Sequence, residues 1–343
     1  MSKVWRTALF LSLLWCAGWP ENSEAAPNRS FSIELTPAEG EDFGDTFATA
    51  RSLGLQFSSL SIPWDEIETA PGQFKAGDLE SANGFFPSQS VPLVLTISVI
   101  DTNILRVPED LREQSFSSPQ MKARFHALLD FVFKQLKDTQ LVALAIGNEV
   151  DALLGEDEQQ WADYLNFFQD AVSYTHARKR GTLVGVKFGF DGLRSQRAKP
   201  FIAASDTAMT TYYPLHPDFT VRPPSEVESD FGLMVAASQG KPLMILECGF
   251  PSAATNGSSE SLQRDFVVAM FKAWDTYAGS ISHLSYFSLT DFGDEVVGDL
   301  GDYYGVDSKA FVSYLSSLGV RATNGKKKVA FDALRGEKKK LRK

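Results

Sequence analysis

The chain is poor in the residues that build several common kinds of site. Among 343 residues there are two cysteines, Cys16 and Cys248, and four histidines. Two cysteines exclude a disulfide framework and a cysteine-based zinc finger. His126, His176, His216 and His283 show neither an HxH nor an HExxH spacing, so no metal is expected. No G-x-G-x-x-G loop follows the first apolar run, where the chain reads Thr36-Pro37-Ala38-Glu39-Gly40; a dinucleotide or other cofactor is therefore not expected. Positive charge is also in deficit, with 33 Lys+Arg against 43 Asp+Glu and a net charge of −10, the wrong sign for a nucleic-acid binder.

The charge that is present is unevenly placed. Residues 326–343 hold nine Lys or Arg and two acids, so this end carries +7 and the rest of the chain −17. A basic tail over 338–343 reads first as a solvated end and second as a weak contact with an anionic surface. The acidic body suits a neutral partner better than a polyanion. At the other end, Lys3 and Arg6 precede the apolar run Ala8–Trp19, followed by Pro20, Glu21 and the small-residue stretch Ser23–Ala26. That order is expected of a signal peptide over 1–26, cut near Ala25 or Ala26, which makes the protein secreted or periplasmic. The run is too short to span a bilayer comfortably. The bulky Trp15 before Cys16 argues against a lipid-anchored cysteine.

From residue 27 to 337 one rhythm repeats: a short β-branched or aromatic run, a turn, then an amphipathic stretch. Strands are predicted at Phe31–Leu35, Leu55–Ile62, Pro92–Val99, Leu141–Ile146, Thr182–Phe188, Ala208–Tyr213, Pro242–Leu246 and Ile281–Leu289. Helices are predicted at Gly44–Leu53, Pro119–Lys137, Trp161–Ala177, Glu226–Gln239 and Ser261–Tyr277. Eight alternations fit a single α/β domain, a (β/α)8 TIM barrel, better than an open doubly wound sheet.

Such a barrel carries its active site at the C-terminal strand ends. Strand four ends in Gly147-Asn148-Glu149-Val150-Asp151, and strand seven in Glu247-Cys248-Gly249-Phe250-Pro251-Ser252. Each sets one Glu directly after a buried run, where an unpaired carboxylate is costly. Two carboxyls facing one cleft are what cleavage of a glycosidic bond requires, one to protonate the leaving oxygen and one to attack or to activate water. Asn148 could hold a sugar hydroxyl. Cys248 reads as a buried filler.

These motifs resemble those of clan A of the glycoside hydrolases, the retaining β/α-barrel enzymes, and are similar to β-1,3-glucanases and endo-β-1,4-galactanases. The resemblance extends to the loop Pro63–Phe74, to Tyr212-Tyr213-Pro214 after strand six, and to Gly319–Lys326 with Ala330-Phe331 at the close. It implies that Glu149 is the acid/base, that Glu247 is the nucleophile, and that a tyrosine after strand six touches the nucleophile. Many members carry an Arg near the end of strand two and a Trp at the end of strand eight. Here those places read Ser59-Leu60-Ser61-Ile62 and Tyr286-Phe287-Ser288-Leu289-Thr290-Asp291, so Phe287 or Trp64 is expected to supply the sugar platform. Asp101, Asp191 and Asp291, at the ends of strands three, five and eight, are further candidates for hydroxyl binding, as are Tyr212 and Tyr213; loop Asp is also a common turn former.

The expectation is a monomeric, secreted retaining β-glycosidase acting on a neutral β-linked glycan without cofactor or metal. The alternatives are a carbohydrate-binding barrel without turnover and a surface-attached scaffold.

Overall fold

A computed structural model describes residues 29–341, so the leader-like segment over 1–26 and residues 342–343 of the basic end lie outside the described residues. Eight parallel barrel strands follow the order expected: β1 (Ser30–Ile33), β2 (Ser58–Pro63), β3 (Leu93–Asp101), β4 (Leu141–Asn148), β5 (Leu183–Gly185 continued by Lys187–Phe188), β6 (Ala208–Tyr212), β7 (Leu243–Cys248) and β8 (Ile281–Tyr286). Ladders run β2-β3-β4-β5 in one sheet and β5-β6-β7-β8-β1 in the other, with β5 shared between them across Val186. The molecule is a single (β/α)8 barrel with one unladdered seam, between β1 and β2. Gln56 spans that seam: its backbone N–H donates to Phe31 O at 2.8 Å and its Oε1 accepts the Phe31 N–H at 3.2 Å.

The principal helices are α1 (Phe43–Ser52), α2 (Gly77–Phe85), α3 (Pro119–Gln135), α4 (Glu158–Arg178), α5 (Lys199–Ala204), α6 (Val227–Ala237), α7 (Glu260–Thr276), α8 (Asp294–Tyr304), α9 (Lys309–Leu315) and α10 (Val329–Lys340). The long ones start where their caps dictate. Ser118 accepts the Met121 N–H ahead of Pro119, Asp157 accepts Gln159 and Gln160, and Ser259 accepts Leu262. Each then buries one apolar stripe, as with Phe125, Leu128, Leu129, Val132 and Phe133 of α3.

Strand alternation divides the core in two. Residues such as Phe31, Ile33, Leu144, Ile146, Val184, Val186, Leu243 and Ile245 pack outward against the helices. Phe57, Val94, Ala143, Ala145, Met209, Met244 and Leu246 fill the barrel interior. Gly185 belongs to this inner set, because a Cβ there would lie 2.7 Å from Thr207 O and 3.0 Å from Met209 Sδ.

The sequence rhythm did not show α8 and α9, which lie between β8 and α10 and build an apolar cluster of Val297, Phe311, Tyr314, Leu315 and Leu318. Lys338–Lys340, grouped with the tail from sequence, form the last turn of α10, where Lys340 pairs with Glu337 at 2.6 Å. Among the described residues no helix is long and apolar enough to cross a membrane.

Candidate active site

The ends of β4 and β7 depart from regular strand, and both departures aim a carboxyl. On β7, Ile245 pairs with Thr210 and Glu247 with Thr211, so Leu246 is extra; the same irregularity shows against β8. A bulge of this kind turns two successive side chains to one side of the strand. Leu246 stays in the barrel interior and Glu247 enters the cleft instead of facing the helices. On β4, Gly147 takes φ +86°, and a Cβ there would meet Val150 Cγ1 at 2.4 Å and the Tyr164 hydroxyl at 2.5 Å. Glu149 itself has φ +43° and Thr102 φ +55°. Left-handed backbone costs an L residue about 1–3 kcal/mol and concentrates at functional sites. The two strained residues hold each other, since Thr102 Oγ1 donates to Glu149 Oε2 at 3.0 Å and Thr102 N–H to Asn148 O at 2.9 Å.

The two carboxyls have unlike surroundings. Glu247 Oε1 accepts from Lys187 Nζ at 2.6 Å, and its Oε2 accepts from the Tyr213 hydroxyl at 2.9 Å. Lys187 is buried, with a side chain 4% exposed. Burial, then the charge of Glu247, raises the Tyr213 phenol well above its usual range, so it stays a donor. Glu149 receives only hydroxyls, from Thr102 and from Thr211 at 2.5 Å. Burial and the nearby charge of Glu247 push it up to about 7, against the Thr211 hydrogen bond.

Both carboxyls line one cavity of about 470 Å³ with Asn148, Tyr213 and Phe287; Leu300, Tyr304, Phe311 and Tyr314 from α8 and α9 wall its far side. A second cavity of about 590 Å³ shares Glu149 and Tyr213 and opens toward Asp151, Phe190, Arg194 and Arg222. Asn148 is fixed by donating to Asp101 Oδ1 at 2.7 Å, while its own Oδ1 is buried without a partner. The Tyr303 hydroxyl donates to Asp101 Oδ2 at 2.9 Å, and Arg106 donates to Tyr303 at 2.7 Å and pairs with Asp65. The inserted α8 is thereby tied to the loops after β2 and β3.

Other sequence candidates lie elsewhere. Trp64 is fully buried, donates to Glu68 Oε2 at 2.8 Å and packs edge-on against Phe125, so it pins its own loop and offers no platform. Tyr212 points outward and donates to Asp230 at 2.7 Å, because alternation gives the cleft to Thr211. Asp291 is held by Lys328 at 2.7 Å and by the Gly319 N–H, closing the C-terminal turn. Asp101 acts on Asn148 rather than facing the cleft. Asp191 is exposed at the rim of the second cavity and pairs with Arg194. Cys248 is a buried filler whose thiol burial pushes well up. Among the described residues no group of three or more His, Cys, Asp or Glu is placed to hold a metal.

Sequence reasoning missed Lys187, Thr102, Thr211 and the aromatic wall. Lys187 carried a usable signal, a lone lysine inside the apolar run of strand five. It supplies from β5 the cation that strand two lacks.

No protein-family model matches the chain, and no curated protein matches it by sequence. Its fold does match solved structures. GH5_18 from Streptomyces cattleya, in complex with GlcNAc, superposes with a TM-score of 0.72 at 13% identity over 92% of this chain and 81% of that one. GH5_18 from Bifidobacterium longum subsp. longum gives 0.71 at 12% identity, covering 91% and 79%. The exo-β-1,4-mannosidase Op5Man5 from an Opitutaceae bacterium gives 0.70 at 16% identity, covering 93% and 62%. The chain thus has the barrel fold of glycoside hydrolases of the clan its motifs resemble.

Proposed function

We propose that the protein is a retaining β-glycoside hydrolase. The observation that carries the reading is the pair Glu149 and Glu247 on one cavity, in surroundings that favour opposite protonation states. Lys187 and Tyr213 donate to both oxygens of Glu247, an arrangement that suits a carboxylate. Glu149, pushed up to about 7, holds a proton near neutrality.

Glu247 attacks the anomeric carbon while the bond to the leaving oxygen breaks and Glu149 gives that oxygen its proton. Glu149, now a carboxylate, takes a proton from water; the water oxygen attacks the same carbon and the bond to Glu247 breaks. The Asn148 Oδ1 accepts a sugar hydroxyl as the ring gains positive character. Phe287 offers an apolar face for the ring's C–H groups. Cleft residues with neutral hydroxyls and aromatic walls suit a neutral β-linked glycan. The structural neighbours named for GlcNAc and for β-mannosidase activity support this class of substrate. We also infer export, from the leader-like segment alone.

The test is a panel of β-glucans, β-mannans, galactans and xylans with measurement of new reducing ends, alongside Glu247→Gln. Proton NMR of the first product should show the β anomer. An α anomer appearing first would overturn the retaining mechanism, and turnover that survives in Glu247→Gln would overturn the site.

A further inference from the structure

We propose that Glu34, with Ser59 beside it, reads a hydroxyl of the sugar ring whose anomeric carbon Glu247 attacks. The inference rests on the glycosidase reading and deepens it, since it assigns a residue to substrate selection at that site.

Glu34 directly follows β1. Phe31 and Ile33 pack outward, so alternation turns Ser32 and Glu34 inward. Its N–H donates to Tyr286 O at 2.9 Å and its carbonyl accepts the Leu289 N–H at 3.1 Å. The residue therefore stands level with Phe287, one strand from it and two from Glu247. The charge of Glu247 adds to burial in lifting Glu34 to about 7, with Lys187 opposing both.

Among the described residues nothing hydrogen-bonds the Glu34 carboxyl. Contrast Glu68, the carboxylate that holds the β2 loop: it receives the Trp64 indole, the Gly72 N–H and Arg124. A carboxyl kept for architecture is saturated in this way, and Glu34 is not. Next to it, Ser59 Oγ is buried and has no partner either. A buried hydroxyl without a partner beside a half-buried carboxyl that no protein group binds leaves a place for a ligand to satisfy. Both also line a cavity of about 470 Å³ between β1 and β2, walled by Leu35, Leu60, Phe85 and Phe86 and sharing no lining residue with the one that holds Glu149 and Glu247.

The side of the cleft follows from the chemistry. The leaving group departs past Glu149, where the second cavity contains Glu149 but not Glu247. Glu34 stands level with Phe287 on the neighbouring strand, two strands from Glu247, and does not line the second cavity, so it belongs to the ring being attacked. The ligand class is a neutral pyranose that presents a hydroxyl donor toward β1, with Ser59 able to give or accept a second bond.

The test uses the full chain. After the panel names the sugar, 4-nitrophenyl β-glycosides of that sugar and its 2-, 3-, 4- and 6-deoxy analogues are assayed with wild type, Glu34→Ala and Ser59→Ala. Glu34→Ala should lower kcat/KM on the parent about 10- to 100-fold. One deoxy analogue should lose a similar factor with wild type and lose nothing further with Glu34→Ala, the signature of a shared interaction. Equal deoxy penalties in wild type and in the variant, at an unchanged melting temperature, overturn the inference. If Glu34→Ala fails to fold, Ser59→Ala carries the same comparison. A wild type that cleaves no glycan defeats the glycosidase reading separately. Methyl β-glucoside, β-galactoside and β-mannoside are then titrated by saturation-transfer NMR. Binding lost in Glu34→Ala still supports the subsite; binding equal in both, or absent in both, overturns it.

Discussion

The two sides of the cleft use the same residue type and give it different work. On the β7 side, Glu247 receives an ammonium and a phenol, one on each oxygen. On the β4 side, Glu149 receives two threonine hydroxyls, from the loop after β3 and from β6. A hydroxyl can accept as well as donate, so Glu149 keeps partners with or without its proton, and burial with the charge of Glu247 outweighs the Thr211 bond that favours the ionised form. An ammonium can only donate. In the proposed reading the neighbours divide the roles, an ammonium and a phenol on the nucleophile and two hydroxyls on the acid.

The largest break in this contrast is removal of either carboxyl. Glu247→Gln should lower kcat/KM by roughly 10⁴-fold or more on every substrate, because no covalent intermediate forms. Glu149→Gln should cost about 10²–10⁴-fold on a glycan, and much less in the first step on a 4-nitrophenyl glycoside, whose leaving group departs without a proton. Burst kinetics with the aryl glycoside separate the two roles. Equal losses on both substrates would deny Glu149 the acid role.

Lys187→Met should come next, at about 100-fold in kcat/KM, since it leaves Glu247 with one donor and keeps the volume of the buried chain. Lys187→Arg should not restore the rate, because a planar fork does not fit where a compact ammonium sits. A Met variant with wild-type kcat/KM would show that the ion pair serves folding alone.

A smaller effect sharpens the electrostatic link between the sides. Glu149 must be protonated to act as acid, so kcat/KM should fall as pH rises through about 7. Glu34 titrates in the same range, so the profile is best taken in Glu34→Ala. The charge of Glu247 is one of the causes that lift Glu149, so in Glu247→Gln the Glu149 carboxyl should titrate below about 7, as read by carbon-13 NMR. Stability carries the same sign. A carboxyl raised in the folded state, against 4.5 for the free group, favours folding fully below pH 4.5 and loses that contribution as pH rises through about 7. Glu149→Gln should therefore gain melting temperature at pH 8 and gain nothing at pH 4.

The order of strands and the two glutamates could be read from the chain because both depend on local signals: apolar runs of strand length, and a charged residue where such a run stops. The partners could not. Lys187 and Thr211 sit inside strands, where only alternation and the β7 bulge decide that they meet Glu247 and Glu149. That bulge arises from pairing across β6, β7 and β8 and leaves no mark in the sequence of β7. The wall formed by α8 and α9 was hidden for another reason. Its apolar side faces the cleft and its own cluster rather than the barrel, so its pattern was not expected after strand eight. Glu34 fell inside the strand expected over Phe31–Leu35, with no motif around it, whereas the strand ends at Ile33.

Trp64 and Phe287 give the last and smallest effect on catalysis. One or the other was expected as the platform, and the structure separates them by burial. Trp64 is sealed beneath its loop with its indole on Glu68, whereas Phe287 lines the cavity with both carboxyls. Trp64→Phe should remove one donor from a buried carboxylate and leave a small void, at a cost of about 2–4 kcal/mol in stability. Arg124 still pairs with Glu68 at 2.7 Å, which keeps the loss below that of an orphaned charge. Its kcat/KM below the melting transition should stay within about twofold of wild type, since nothing that touches substrate has moved. Phe287→Ala should do the reverse, raising KM while the melting temperature changes little. If Trp64→Phe instead raised KM at unchanged stability, the loop after β2 would have to open onto the cleft, and the division between a sealed tryptophan and a working phenylalanine would fail.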